Sequence, residues 1–469
     1  ILLQPLTSEQ IDEYIERAGA ELSAVREALQ HDAGFRGMVD SPLMLNIMTM
    51  AYRGMPTGEL QPLDSVAAHR KHVLDAYTGR MFERRGEQRD YSPEQTMCWL
   101  AWLAHRMSQH SQRIFSIEQL QPSWLSRCWH RWIYVGVSRV VAGVILGLPV
   151  ALTIDMLAGA LIGGLGGLVV AITDGVRFER RDRRARQDVG TSRRVWMRRI
   201  PVIGLSVGLA AMLTCGLLLV LNQEIREILG NLSLAFTLAM GLVIGVVFEI
   251  AFGRGDRGQG LRGDVKTVDA ISWSWKKAGR GAGIGLVLGL IFGVIQVVMN
   301  ELPLDESLLV GPPFGVLFGL MGAAIVGLRG KTVEDKATPN WGTWSSARNG
   351  LFAALALGLP TGLGVALVDQ MINPPFSMAG FVGSIRDVGL PFGLIVGSIS
   401  LLRSGAYEFV KHFALRLLLW LDGHTPWNYA RLLDRAAERI LLYKVGGGYM
   451  FIHPLMQEYF ASLYEVVES

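Results

Sequence analysis

The sequence predicts a mainly α-helical protein in which a polytopic membrane block of eight helices is set between two soluble segments. Three observations carry this prediction. Half of the 469 residues are hydrophobic and only 18% are charged, with a mean hydropathy of +0.31, far above the balance of an ordinary globular chain. The excess is concentrated between about residues 132 and 402, where eight apolar stretches follow one another. The first 128 residues and the last 65 or so carry instead the caps, turns and mixed polarity of soluble sequence.

The N-terminal segment reads as helices. Thr7 with Gln10 in "TSEQ" forms a capping box opening "EQIDEYIERAG". Ser92 with Gln95 in "SPEQ", with Pro93 at the first helical position, opens "EQTMCWLAWLAHRMSQH". Apolar-periodic runs lie between them, "ELSAVREALQ", "PLMLNIMTMAY" and "VAAHRKHVLDAYTGRMFER". Residues 1–60 are read as a helical domain and 61–128 as the first half of a second domain that ends in "RIFSIEQLQPSWL", a candidate strand or short helix. Ile1 opens the sequence with neither an initiator Met nor a charged leader before an apolar run, which reads as the interior of a longer chain.

The eight apolar stretches run 138–154, 156–174, 200–221, 232–252, 281–299, 308–328, 350–369 and 380–402, each about the length that crosses a bilayer as a helix. The gaps alternate in charge. "RFERRDRRARQDVGTSRRVWMRR", "GRGDRGQGLRGDVKTVDAISWSWKKAGR" and "RGKTVEDKATPNWGTWSSARN" are basic, whereas the odd-numbered gaps hold only Arg226 and Arg386 as cations. The positive-inside rule places the basic loops and both soluble segments in the cytoplasm. A unit of about 70 residues also recurs, aligning Trp275 with Trp344 and Gly281 with Gly350, so that the block reads as four hairpin repeats. Glycines fall at every fourth position, as in Gly281, Gly285, Gly289 and Gly293 or Gly389, Gly393 and Gly397. This spacing bares one helix face for close backbone packing, and a pore lined by backbone and small residues stays open beside that reading.

Ionisable groups at depth, which transport of ions or protons needs, are scarce. Glu249 is the one clear acid within a crossing, and Arg139 sits near a predicted helix end, from which it can snorkel. The three cysteines, Cys98, Cys128 and Cys215, have neither metal-like nor disulfide-like spacing and read as packing residues. "IVGLRGKT" at 325–332 ends like a phosphate-binding loop, but Ile325 stands where that pattern requires glycine.

Beyond the block, at 405–469, "NYARLLDRAAERI" reads as a helix and "LLYKVGGGYMFIH" as two short strands turning at Gly446 to Gly448. A last helix starts at Pro454 with His453 near its N-cap. Helix, hairpin and helix make half of a winged helix. His453 then has an ordinary reading as a cap, and "QEYFASL" one as an amphipathic helix burying Tyr459, Phe460 and Leu463.

Two stretches resemble a known family. "LLQPLTSEQIDEYI" followed by "DSPLMLNIM" looks like the helical domain after the nucleotide-binding core of NACHT NTPases, members of the STAND class of signalling ATPases. "YMFIHPLMQEYFASL" looks like the end of their winged-helix domain, matching F-x-H-x-x-x-Q-E-[YF]-x-A at Phe451, His453, Gln457, Glu458, Tyr459 and Ala461. The resemblance implies a C-terminal portion of a bacterial NTPase of this class whose winged helix is interrupted by the membrane block. It implies that His453 approaches the β-phosphate of bound ADP and that Pro42 packs near the base, with ADP or ATP, and Mg, bound mainly by a core that precedes this sequence. No phosphate-binding loop, Mg-binding acidic motif or catalytic base is present here, so whether the chain belongs to an ATPase is left open.

The expected partners are the lipid bilayer, nucleotide and further copies of the chain on activation, with signalling in defence against phage as an analogy. A polytopic transporter or channel with cytosolic helical domains is the alternative. A membrane-tethered transcription regulator is disfavoured, because "PLMQEYFASLYEVVES" is acidic where phosphate contacts need cations, and no nucleic acid is expected.

Overall fold

A computed structural model describes residues 6–39, 42–55, 65–83, 91–125, 127–153, 163–164, 167–168, 171–172, 270–299, 304–331, 341–372 and 375–468. The chain is mainly helical, with little strand. Helices α1 (Ser8–Ala18), α2 (Ser23–His31), α3 (Ala33–Met38), α4 (Pro42–Tyr52), α5 (Val66–Glu83) and α6 (Pro93–Gln109) come first. Helix α7 (Cys128–Thr153) is followed by β1 (Ala270–Trp273), α8 (Trp275–Met299), α9 (Leu304–Gly327) and β2 (Leu328–Lys331). Then come α10 (Trp341–Ile372), α11 (Met378–Ser384), α12 (Leu390–Leu401) and α13 (Tyr407–Leu421). The last elements are α14 (Tyr429–Glu438), β3 (Leu442–Val445), β4 (Gly448–Phe451) and α15 (Pro454–Glu468).

The chain divides into two compact units, one of Ile1–Ile117 with Asp422–Ser469 and one of Glu118–Leu421. The segments on either side of the apolar block thus fall in a single unit. The second unit is wider than the apolar stretches, taking in residues 118–131 and 403–421.

The first unit follows the burial rule of soluble proteins. Both capping boxes are formed: Thr7 Oγ1 accepts from the Gln10 amide at 3.3 Å and Gln10 Oε1 from the Thr7 amide at 3.0 Å, and Ser92 and Gln95 exchange the same bonds at the start of α6. Large side chains fill the interior, among them Tyr52, Tyr77, Trp102, Tyr449 and Phe460. The predicted hairpin is present, with Val445 opposite Gly448, so the turn is the pair Gly446–Gly447 and Gly448 begins the second strand. Gly446 has φ +58°, the left-handed region that glycine enters at no steric cost. The candidate strand at "RIFSIEQL" is a single bridge in which Phe115 and Tyr449 exchange two backbone hydrogen bonds of 2.7 Å. A Cβ on Gly448 would lie 2.9 Å from the Phe115 carbonyl oxygen, which accounts for glycine there.

The second unit inverts that rule. Along α10, Leu351, Phe352, Leu355, Leu359 and Leu363 are exposed, whereas Gly350, Gly358 and Gly362 are buried. Helix α7 likewise exposes Val137, Val141, Val144, Leu148 and Leu152 at helical spacing. Large apolar groups outward and small ones inward is the arrangement suited to a hydrocarbon solvent. Among the described residues, three helices are long and apolar enough to cross a bilayer, Trp129–Thr153, Trp341–Met371 and Met378–Leu421, and Pro312–Gly327 is a shorter apolar helix. The run of 44 residues from Met378 would extend about 66 Å as one helix, twice what about 30 Å of hydrocarbon needs. It is broken by a wide turn at Leu402–Ala406, in which Gly405 takes φ +144°.

Glycine faces meet in pairs. On α8, a Cβ at Gly281, Gly285 or Gly289 would overlap the carbonyl oxygens of Gly322, Phe318 or Phe314 on α9. On α10, a Cβ at Gly358 or Gly362 would lie 2.7 Å from the carbonyl oxygens of Gly393 and Gly389. Gly143 of α7 meets Gly163 and Gly167 in the same way. Strands β1 and β2 pair antiparallel at the foot of the α8–α9 hairpin. The "IVGLRGKT" stretch therefore runs from a helix into a paired strand, not into a loop around an anion. The third and fourth apolar stretches, 200–221 and 232–252, lie outside the described residues, as do Glu249 and Cys215. Cys98 is exposed on α6 and is not the packing residue expected. Helix α7 starts ten residues before the apolar stretch beginning at 138, which places Arg139 in mid-helix.

Candidate functional site

The candidate site is built on α15 and on the elements that hold its start. His453 directly precedes the helix and acts as its cap: Nδ1 accepts from the Leu455 amide at 3.2 Å, and its carbonyl accepts from the Met456 and Gln457 amides. With Nδ1 used as acceptor, the neutral ring carries its proton on Nε2, which makes no hydrogen bond among the described residues. Burial pushes the imidazole below its ordinary value, while the Glu458 carboxylate works in the opposite direction.

The rest of the motif fixes this helix in place. Gln457 Nε2 donates to the Gln112 carbonyl at 3.2 Å and to Ser108 Oγ at 3.3 Å. The Tyr459 hydroxyl donates to Asp75 on α5. Burial and that bond hold the Tyr459 phenol well above the ordinary tyrosine range. Phe451 packs at a tilt against Phe460, with 5.6 Å between ring centroids, and both are buried. Leu463, expected in the core with them, is half-buried. Six matching positions thus divide into one half-buried imidazole, an exposed Glu458, and four residues that pack or tie α15 down.

Pro42 is the first residue of α4 and is exposed. The helix behind it is anchored by buried Met44, Met48 and Tyr52. No hydrogen bond among the described residues joins Pro42 to His453. A pair that the sequence reading did not single out lies near the same helices. His69 on α5, only 1% exposed, has Nε2 at 2.7 Å from Asp32 Oδ2 and Nδ1 at 2.9 Å from the Ser65 carbonyl. Both ring nitrogens are occupied by protein oxygens, so this is a structural tie between α5 and the turn after α2. Periodicity could not have found it, because Asp32 stands 37 residues from its partner.

In the second unit, a polar group surrounds Tyr407 where α13 leaves the wide turn. Arg139 and Lys411 each place their charge 5.0 Å from the Tyr407 ring centroid, and Lys411 pairs with Glu408 at 2.7 Å. The Tyr134 and Tyr407 hydroxyls and Glu408 Oε2 are buried with no hydrogen-bond partner among the described residues. This cluster also escaped the sequence reading, which placed the soluble segment from residue 405 onward. No family model, curated protein or solved structure matches the chain.

Proposed function

We propose that the chain is the C-terminal regulatory and membrane-anchoring part of a NACHT-type signalling NTPase, a switch in which ADP or ATP state governs a membrane module. The observation that carries this reading is the single unit formed by Ile1–Ile117 and Asp422–Ser469, which suits one winged-helix domain interrupted by an insertion. The order α6, Phe115 bridge, α14, β3–β4 and α15 fits such a domain, with α1–α4 as the helical domain before it. His453 supports the nucleotide role in one respect: it caps α15 through Nδ1 and keeps an Nε2–H that a phosphate oxygen can accept. Pro42 would pack near the base. The Mg-binding and hydrolytic groups belong to the nucleotide-binding core.

The glycine-faced helix pairs support eight crossings arranged as four hairpin repeats, which return both soluble segments to the cytoplasmic side of the inner membrane. Nucleotide exchange would release His453 and reorient the winged helix, and association of copies through the membrane module would carry the signal. The test is ADP retention by the full-length protein. Purified protein holds ADP, and His453→Ala releases it at least about tenfold faster, the equivalent of one charge-assisted hydrogen bond. Equal release removes the role of His453, and a full-length chain without a phosphate-binding loop sinks the class.

A transporter or channel is the second reading, favoured by one observation: the group of Arg139, Tyr407, Glu408 and Lys411 on α7 and α13, with Glu408 Oε2 buried and lacking a hydrogen bond among the described residues. Ion flux into liposomes that persists without nucleotide and is lost in Glu408→Gln would favour it over the switch.

A further inference from the structure

Three helices of the second unit begin alike. Trp129 lies in the first turn of α7, Trp275 opens α8 and Trp344 stands in the first turn of α10, and all three rings are exposed, Trp275 by 81% and Trp344 by 68%. Later turns of the same helices expose Val, Leu, Ile and Phe instead. At the far end, the α10–α11 turn exposes Met371, Phe376 and Met378. An indole is at its most stable where hydrocarbon meets water, so each of these helix starts suits a membrane interface.

Cations accompany the indoles in a position that the helices themselves disfavour. Lys276 and Lys277 fall in the first turn of α8 and Arg280 in its second, with no acidic residue in that first turn; Arg348 follows Trp344 by about one turn on α10. A helix N-terminus already carries the positive end of the backbone dipole, so cations there are destabilising by themselves. Lys276, Arg280 and Arg348 have no ion-pair partner among the described residues. A negatively charged surface at the same depth as the indoles removes that cost, and the inner face of a bilayer is such a surface.

We propose that the tryptophans at the starts of α7, α8 and α10, with the cations that accompany them on α8 and α10, form a collar that binds the anionic phospholipid headgroups of the leaflet in which it lies. The proposal rests on the bilayer setting of these helices. The experiment uses the full chain in nanodiscs and reads quenching of tryptophan fluorescence by brominated phosphatidylglycerol against brominated phosphatidylcholine. The expected result is a preference for the anionic lipid that falls by about fivefold for each cation removed in the series Lys276→Gln, Lys277→Gln and Arg280→Gln. Equal quenching by both lipids overturns the preference while leaving the bilayer setting intact, and quenching by neither overturns the setting itself. A preference retained in the triple variant overturns the assignment to these side chains. Inorganic phosphate leaves the ratio unchanged; loss of preference on adding it would place a discrete phosphate site there and overturn the leaflet as the ligand.

Discussion

Substituting Gly358 by alanine tests the glycine seam between α10 and α12. The added Cβ would stand 2.7 Å from the Gly393 carbonyl oxygen, where ordinary contact begins at 3.4 Å, so the two helices must separate by about 0.7 Å. A gap of that size forfeits between about a quarter and a half of each contact it widens, and each contact is worth about 0.1–0.2 kcal/mol. Over a seam of roughly thirty atom pairs the loss is about 1–2 kcal/mol, reinforced by backbone adjustment typical of overpacked sites. Alanine also raises helix propensity by about 1 kcal/mol over glycine, leaving a net destabilisation of about 1 kcal/mol. The control is Gly283→Ala on α8, where the new Cβ meets nothing within 4 Å and only the propensity gain of up to about 1 kcal/mol acts. Unfolding of the purified chain in detergent should therefore move in opposite directions for the two variants. Shifts of the same sign and size would refute the claim that backbone contact at Gly358 holds these helices together.

Gly405→Ala meets two obstacles, a φ of +144° and overlap with the Ser346 carbonyl oxygen, and should lower stability by about 2–4 kcal/mol in the same unfolding assay. Glu118→Gln keeps an acceptor for the Gly342 amide, now 2.6 Å from the carboxylate, but removes a charge only 4% exposed at the positive end of α10; a loss of about 1–2 kcal/mol is expected, against none if the carboxylate is a spectator. His453 is held below its unfolded value of 6.5, so between the two values the unfolded chain binds more protons and stability falls with acidification, flattening below the folded value. Thermal midpoints of wild type minus His453→Asn, measured from pH 7.5 to about 5, should show that slope, while His110, also lowered, by burial and by Arg106, acts in both proteins and cancels in the difference. A difference that does not change with pH would remove His453 as its source.

What could be read from the sequence followed how local its physics is. The capping boxes at Thr7 and Ser92 and the hairpin at Gly446 involve residues two to four positions apart, and they appear in the structure where the spacing put them. Glycine at every fourth position revealed a bare helix face, although not which helix would meet it. Helix α13 was missed because Glu408, Lys411 and Arg416 interrupt its apolar residues, and because a run broken at Gly405 looks like the end of a crossing. The cap on α10 was beyond reach, since Glu118 and Gly342 lie 224 residues apart. At the candidate site, the pattern identified His453, whereas the bonds from Gln457 to Ser108 and from Tyr459 to Asp75 depend on elements on the other side of the apolar block.

Those last bonds bear on how the molecule can assemble. The first unit has its two parts separated by the whole span Glu118–Leu421, and its sheet is not complete until Phe115 meets Tyr449. Helix α6 and the Phe115 segment therefore wait, with apolar faces such as Trp102 and Phe115 lacking their eventual cover, until the span has been made and the last fifty or so residues follow. Loop-closure entropy grows only slowly with the length of the intervening chain, so the separation itself is a modest thermodynamic burden. The kinetic consequence is larger, because contacts of high sequence separation form late and leave partly covered surface in the meantime. The hydrogen bonds of buried Tyr459 to Asp75 and of buried Tyr77 to the Ile440 carbonyl join the early and late parts directly. They are also the contacts through which any motion of α15 would reach α5, so the bonds that complete folding are the same ones that a switch built on His453 would have to work through.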